Sequence, residues 1–260
     1  MRLDEHRHFT ARLAHVLQSR GDILGLVALG SMAEQGEAPD DFSDHDFFVI
    51  AEPSAAESYR ERVDWLPDAD AIVHHYRETA HGVKAFYRGG HFVEYAVFTP
   101  DEIALARVNR YRVLFDRGDV ARRMDAVAVA TRERVLREAP SDDWLVGQLL
   151  GEALVAALRD ARGEHTSGAQ RRQSATQHLL RLVARHVPSP THHRLDDLDA
   201  TRRVELAYPE LAQRLDLASR RSAREHALCI LDVAAEALAP RVPGFPAEAL
   251  AVVRQRVASL

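Results

Sequence analysis

ILGLVALGSMAEQGEAPDDFSDHDFFVI, residues 23–50, decides how this chain is read. Its first eight residues, 23–30, form a short apolar run between turn signals, Gly21-Asp22 before it and Gly30-Ser31 at its end, which is the pattern of a buried strand. A polar loop with Gly36 and Pro39 follows, and HDFFVI (45–50) reads as a second strand. Ser43-Asp44-His45-Asp46 runs straight into it. Asp44 and Asp46 are two residues apart at a strand start, so both side chains point to one face. Two carboxylates held that close repel each other. A divalent cation between them removes the penalty, and hard oxygen ligands suit Mg²⁺.

Upstream, Phe9, Leu13, Val16 and Leu17 fall on one face of a helix over 4–20. Downstream, 54–65 reads as a helix, and 71–76, 83–87 and 92–98 as three strands, the last two joined through Gly89-Gly90 as a hairpin. Pro100 opens a short helix over DEIALARV, and 112–116 is a last strand closed by Gly118. Glu94 sits in the otherwise apolar strand FVEYAVF, where a charge is costly to bury unless paired or liganded. If that strand lies beside 45–50, Glu94 joins the two aspartates. Gly30-Ser31 then offers bare backbone amides and a hydroxyl to nucleotide phosphates. Counted outward from Gly89-Gly90, Lys84 falls within about a residue of facing Glu94. There its ammonium would neutralise charge on a triphosphate.

After Val120 no strand signal remains. Segments 121–138, 142–162, 169–187, 201–218, 222–239 and 246–258 are rich in Ala, Leu and Arg at helical periodicity, with breaks at Pro140, 163–168, 188–190 and 240–246. The expectation is an α+β protein: residues 1–120 a domain with a mixed β-sheet and flanking helices, residues 121–260 an all-α helical bundle, with the functional site in the cleft between them.

Composition narrows the class. Of 260 residues, 46% are hydrophobic and 28% charged, ordinary values for a globular chain with a real core. No window is apolar for the length of a membrane span, and MRLDEHRHFTARL carries acids and lacks the apolar region of a signal peptide, so a cytoplasmic protein without membrane partners is expected. A lone cysteine, Cys229, excludes an internal disulfide framework and a thiolate metal site. The net charge of −5 argues against non-specific binding of nucleic acid. The charge is uneven: residues 1–120 hold 13 Lys+Arg against 21 Asp+Glu, the remainder 21 against 18. Lys84 is the only lysine among 34 basic residues.

The order strand, Gly-Ser, loop, Ser-Asp-x-Asp, strand, then an acid inside a later strand resembles the polymerase β-like nucleotidyltransferase superfamily. The form GSMAEQGEAPDDFSDHDFFVI, followed by a helical half containing DDLDATRRVELAYPELAQRL (196–215), looks like the antibiotic nucleotidyltransferases for aminoglycosides and lincosamides. The resemblance covers 23–116, and the rest only in character; the loop between Gly-Ser and the aspartates is longer than usual. It implies Mg²⁺-dependent transfer of a nucleoside monophosphate from an NTP, with ATP the expected donor, to a hydroxyl of a small molecule. Two Mg²⁺ would be held by Asp44, Asp46 and Glu94, which would also be the catalytic residues. Gly30, Ser31, Ser43 and Lys84 would bind the nucleotide, and Glu152 on the first bundle helix would face the acceptor. A homodimer is a compatible assembly.

Bland alternatives stand beside each residue: an exposed acidic turn for Asp44 and Asp46, a solvent-facing strand position for Glu94, a surface lysine for Lys84, an exposed helix glutamate for Glu152. Fourteen histidines invite a zinc reading, but His74-His75 alternate across a strand, His192-His193 sit in a loop, and neither gives a helical i, i+4 ligand pair. Two rival functions remain. Arg172-x₅-His178, Arg181-x₄-His186 and Arg221-x₄-His226 match the loose Arg-x₄₋₆-His spacing of HEPN ribonucleases. Minimal nucleotidyltransferases that act as antitoxins on a protein partner share the acidic motif, but are usually the length of the first half alone.

Overall fold

The structure is a computed structural model that describes residues 2–35, 38–196 and 198–260; Gly36 of the loop and Asp197 of the 196–215 segment lie outside the described residues. The chain is α+β and divides into two compact units, residues 1–136 and 137–260.

The first unit holds six strands, β1 (Ile23–Leu29), β2 (His45–Ala51), β3 (Ile72–Arg77), β4 (Gly82–Tyr87), β5 (Phe92–Phe98) and β6 (Tyr111–Asp116), each where the sequence pattern puts one to within about a residue. They form one mixed sheet in the order β3-β4-β5-β2-β1-β6. Only β2 and β5 run parallel, and the β3–β4 hairpin belongs to the crossover between them. Gly89 and Gly90, both at positive φ, turn β4 back along β5.

Alternation along the strands divides two apolar layers. Phe47, Val49, Val93, Tyr95, Val83 and Ala85 face helix α1 (Leu3–Gln18), which contributes Phe9, Leu13 and Leu17, and helix α2 (Ala56–Glu61). Phe48, Ile50, Val27, Leu29 and Phe98 face helix α3 (Val120–Glu138). Because Val120, Met124, Val127 and Ala128 of α3 pack on the sheet, the first unit closes at Leu136, where the change of sequence texture lies at 120. Two helical readings shrink. The 54–65 helix stops at Glu61, and the Trp65 indole N–H donates to the Arg62 carbonyl at 2.7 Å, pinning the chain in an extended turn. The DEIALARV helix is a single 3₁₀ turn, Ile103–Leu105, held at its start by the Thr99 backbone N–H donating to Glu102 Oε2 at 2.9 Å.

The second unit is helical: α4 (Asp142–Ala161), α5 (His165–His186), α6 (Val204–Ala207), α7 (Pro209–Ser219), α8 (Ala223–Val233), extended by a π-helical turn at Ala234–Leu238, and α9 (Ala247–Ala258). Ser141 caps α4 and Ser222 with Glu225 forms a capping box on α8. Their core joins Leu145, Leu149 and Ala153 of α4 to Leu179 and Leu182 of α5 and Ile230 and Leu231 of α8. Gly168 reads as part of a break, yet it lies inside α5. A Cβ there would sit 3.2 Å from the Ala156 carbonyl oxygen, so this glycine permits a close helix crossing. Gly168→Val is expected to destabilise the second unit by about 2 kcal/mol, because the obstructing atom is backbone and cannot yield. Urea unfolding followed by Trp144 fluorescence in a Trp65→Phe background checks this, and an unchanged midpoint would refute it.

Candidate functional site

β2 and β5 pair so that Asp46 stands beside Glu94, and β5 and β4 pair so that Glu94 stands beside Lys84. These side chains, and that of Asp44 just before β2, lie on the sheet face that carries Phe48, Ile50 and Ala96. Lys84 Nζ is 3.0 Å from Glu94 Oε1 and 2.7 Å from Glu78 Oε1. The charge inside the β5 strand is therefore paired, and hydrogen bonds to Glu78 and then Glu94 hold the Lys84 ammonium well above the usual lysine range. Lys84 is 20% exposed and Glu94 37%, so neither is an ordinary solvated surface group nor a buried one.

At the end of β1, Gly30–Ala33 forms a 3₁₀ turn with Gly30 at φ +51°, a conformation that favours glycine. A Cβ built on Gly30 would lie 3.8 Å from Asp46 Oδ2, which places the Gly-Ser turn against the acidic row. The Asp46 backbone N–H donates to the Met32 sulfur at 3.2 Å. Arg112 on β6 braces the same turn: its guanidinium donates to the Met32 carbonyl at 3.0 Å and pairs with Glu34 at 3.3 Å. Ser43 is engaged elsewhere, its hydroxyl donating to Asp40 Oδ1 at 3.0 Å and closing the loop before Asp44.

The chain matches no family model and no curated protein. The site must therefore be judged by its own chemistry.

Carboxylate oxygens are the donors Mg²⁺ prefers. Among the described residues no three His, Cys, Asp or Glu side chains converge to cage a metal ion, and Glu94 is turned to Lys84. Mg²⁺ keeps several waters and is usually held by one or two carboxylates together with substrate phosphates. Asp44 and Asp46 supply two such carboxylates beside the Gly30 turn.

The sequence reading overlooks His45, the residue between the two aspartates. It is fully buried on the opposite face, stacked on His6 with ring centroids 3.8 Å apart and against Phe9 at 4.5 Å. His45 Nε2 lies 3.1 Å from the His6 carbonyl oxygen, which can only accept, so this nitrogen carries the proton. His45 Nδ1 then accepts from His91 Nε2 at 2.8 Å. His6 Nε2 in turn donates to the Asp44 carbonyl at 3.0 Å, which ties the start of β2 to α1. Burial pushes His45 down to about 3 and His91 down to about 4, the neighbouring histidines adding to the effect. The alternation Asp-His-Asp is the available signal: if the acids face one way, the histidine faces the core.

A cavity of about 590 Å³ lies on this histidine side of the sheet, lined by Phe9, Arg12, Asp68, Tyr87 and His91. It is remote from Glu94 by face, and its Arg12 and Asp68 are already paired to each other.

In the second unit, Glu152 is 15% exposed. Its Oε1 accepts from Arg171 at 3.0 Å, and its Oε2 is buried without a hydrogen-bond partner. It lines a cavity of about 300 Å³ beside Gly147, Gly151 and Arg159. Among the residues of the three Arg–His spacings, burial with Arg172 nearby pushes His226 down to about 4, and burial with Arg181 nearby lowers His178. His186 pairs with Asp142 at 2.9 Å, Arg221 pairs with Glu225 at 3.6 Å, and His178 packs edge-on against Trp144.

Proposed function

We propose that this protein is a Mg²⁺-dependent nucleotidyltransferase that moves a nucleoside monophosphate from an NTP, with ATP the expected donor, to a hydroxyl of a small molecule. The observation that carries the reading is the single cross-sheet row Asp46–Glu94–Lys84 with the Gly30 turn against Asp46. It gathers a glycine-serine turn, acids and one ammonium on one face.

In this reaction the acceptor oxygen bonds to the α-phosphorus and gives up its proton to solvent, the bond from that phosphorus to the β-bridging oxygen breaks, and pyrophosphate leaves with the electron pair. Asp44 and Asp46 would hold Mg²⁺, which when bound supplies charge neutralisation along the triphosphate. The Gly30-Ser31 turn would present backbone N–H groups and the Ser31 hydroxyl to phosphate oxygens. Glu94, next to Asp46, would orient the acceptor hydroxyl. Lys84, poised between two carboxylates, would lend its positive charge to the outer phosphates.

The test is transfer itself: α-labelled ATP, Mg²⁺ and a panel of hydroxylated small molecules, with labelled adduct and pyrophosphate both quantified. Label transfer with equimolar pyrophosphate is expected. Absence of Mg²⁺-dependent binding of a non-hydrolysable ATP analogue by calorimetry would reject the reading. A narrower expectation concerns Lys84. Lys84→Ala should raise the KM for NTP about tenfold, the effect of losing one partly screened charge contact. Lys84→Arg should rescue only in part, since a planar fork does not replace a compact ammonium between Glu78 and Glu94. Steady-state kinetics with wild-type values for both variants would remove Lys84 from the site.

A further inference from the structure

The acidic row continues into aromatic residues. Lys84 pairs across β4 and β3 with Tyr76, so Asp46, Glu94, Lys84 and Tyr76 form one row over four strands. The next row toward the Gly89-Gly90 turn is His74, Phe86 and Phe92, with Asp44 at its β2 end, one residue before the His45–Val93 pair. All point to the same face as Glu94. Helix α3 covers that face over β1 and β2, where Val27, Leu29, Phe48 and Ile50 pack, but Tyr76 and Phe86 are each 39% exposed. An aromatic surface left open immediately beside charged, reaction-competent side chains requires an explanation.

We infer that this aromatic face binds the acceptor, and that the acceptor carries its hydroxyl next to an uncharged planar ring, as a nucleoside does. The inference rests on the nucleotidyl-transfer reading for the word acceptor, but not for the binding surface. Three observations select the ligand. The rings lie nearly parallel: His74 is inclined 24° to Tyr76 and 22° to Phe86, with centroids 5.9 and 6.1 Å apart. A run of mutually stacked rings is extended by one more flat ring at its exposed end, whereas a cation cage needs walls set at steep angles. The charges beside it are Asp44, Asp46, Glu94 and Glu78 against Lys84, so an anionic polymer is repelled. Finally, the order across the sheet is directional. The Gly30 turn that suits phosphates stands on the β1 side of Asp46, and the rings stand on the far side of Glu94. A ring stacked on Tyr76 and Phe86 would direct an attached sugar hydroxyl toward Glu94 and Asp46.

Adenosine is the probe, and the full chain the sample. Calorimetry without metal or NTP should detect adenosine binding, weakened about tenfold by Tyr76→Ala and by Phe86→Ala and retained in Tyr76→Phe, as stacking requires. Adenosine should also bind protein already saturated with Mg²⁺ and a non-hydrolysable ATP analogue, since only the donor's outer phosphates pass Glu94 to reach Lys84, and the Tyr76 and Phe86 rings stay uncovered. No binding of adenosine, equal binding by the alanine variants, or competition with the ATP analogue would each overturn the inference. So would binding of spermidine, a flexible cation without a ring, that depends on Tyr76 and Phe86 in adenosine's place. Failure of the transferase reading is separately visible, because it would abolish Mg²⁺-dependent binding of the ATP analogue while leaving adenosine on its platform.

Discussion

Asp46→Asn is expected to leave a folded protein with nucleotidyl transfer reduced at least about 1000-fold, the scale of removing a group that stabilises transition-state charge. Asparagine has the shape of aspartate, and the position is half-buried at the edge of the core, flanked by the fully buried His45 and Phe47. The backbone pairing of β2 with β1 and β5 does not involve the side chain. The stability change should stay within about 1–2 kcal/mol, the ordinary range for a shape-conserving single substitution. What is lost is the negative charge beside the Gly30 turn. The substituted amide would offer only a neutral carbonyl to Mg²⁺, and the weaker ligand would release both ion and triphosphate. Circular dichroism and urea midpoints should match wild type, while labelled-NMP transfer disappears. An Asp46→Asn protein that transfers at the wild-type rate would sink the functional proposal outright. Glu94→Gln strips a partner from Lys84 as well as removing a charge beside Asp46.

Much of this site is legible without coordinates, and the reason is local. Each strand announces itself by apolar residues between turn signals, and a charge inside such a run, Glu94, has to be paired. Its partner Lys84, expected within a residue of facing it, stands directly opposite, because the Gly89-Gly90 turn fixes the register of its hairpin. Pairing of β2 with β5 is different. It joins segments separated by a helix and a hairpin, and no periodicity encodes it; only the need to place Glu94 suggests it. Helical texture has the same blindness. Residues 120–138 look like the rest of the second half, but their apolar face belongs to the sheet. Gly168 looks like a stop and is a packing contact. His45 escapes a sequence reading because its role depends on His6 and His91, residues far away in sequence whose side chains meet only after β2, β5 and α1 assemble.

That histidine cluster carries the second large expected effect, an acid-labile first unit. Both His45 and His91 are neutral when folded, pushed down to about 3 and about 4, while in the unfolded chain each takes a proton near 6.5. Below that value the unfolded state binds more protons than the folded state, so stability falls as pH falls, and the loss continues until the folded values are reached. Above pH 6.5 neither state is protonated and the contribution is constant. Each histidine withdraws about 1.4 kcal/mol per pH unit, so the pair removes on the order of 4 kcal/mol between pH 6.5 and pH 5. That is a large part of a typical domain's stability. Trp65 is buried in the first unit and Trp144 belongs to the second, so a Trp144→Phe background lets Trp65 fluorescence report the first unit alone. His91→Gln keeps an N–H donor for His45 Nδ1 and deletes one titration. Between pH 6.5 and 5 its unfolding free energy should fall about 1.4 kcal/mol per pH unit less steeply than that of the His91 protein. Equal slopes would mean that His91 takes up its proton in the folded state, and that the cluster opens to water without unfolding the strand that carries Asp44 and Asp46.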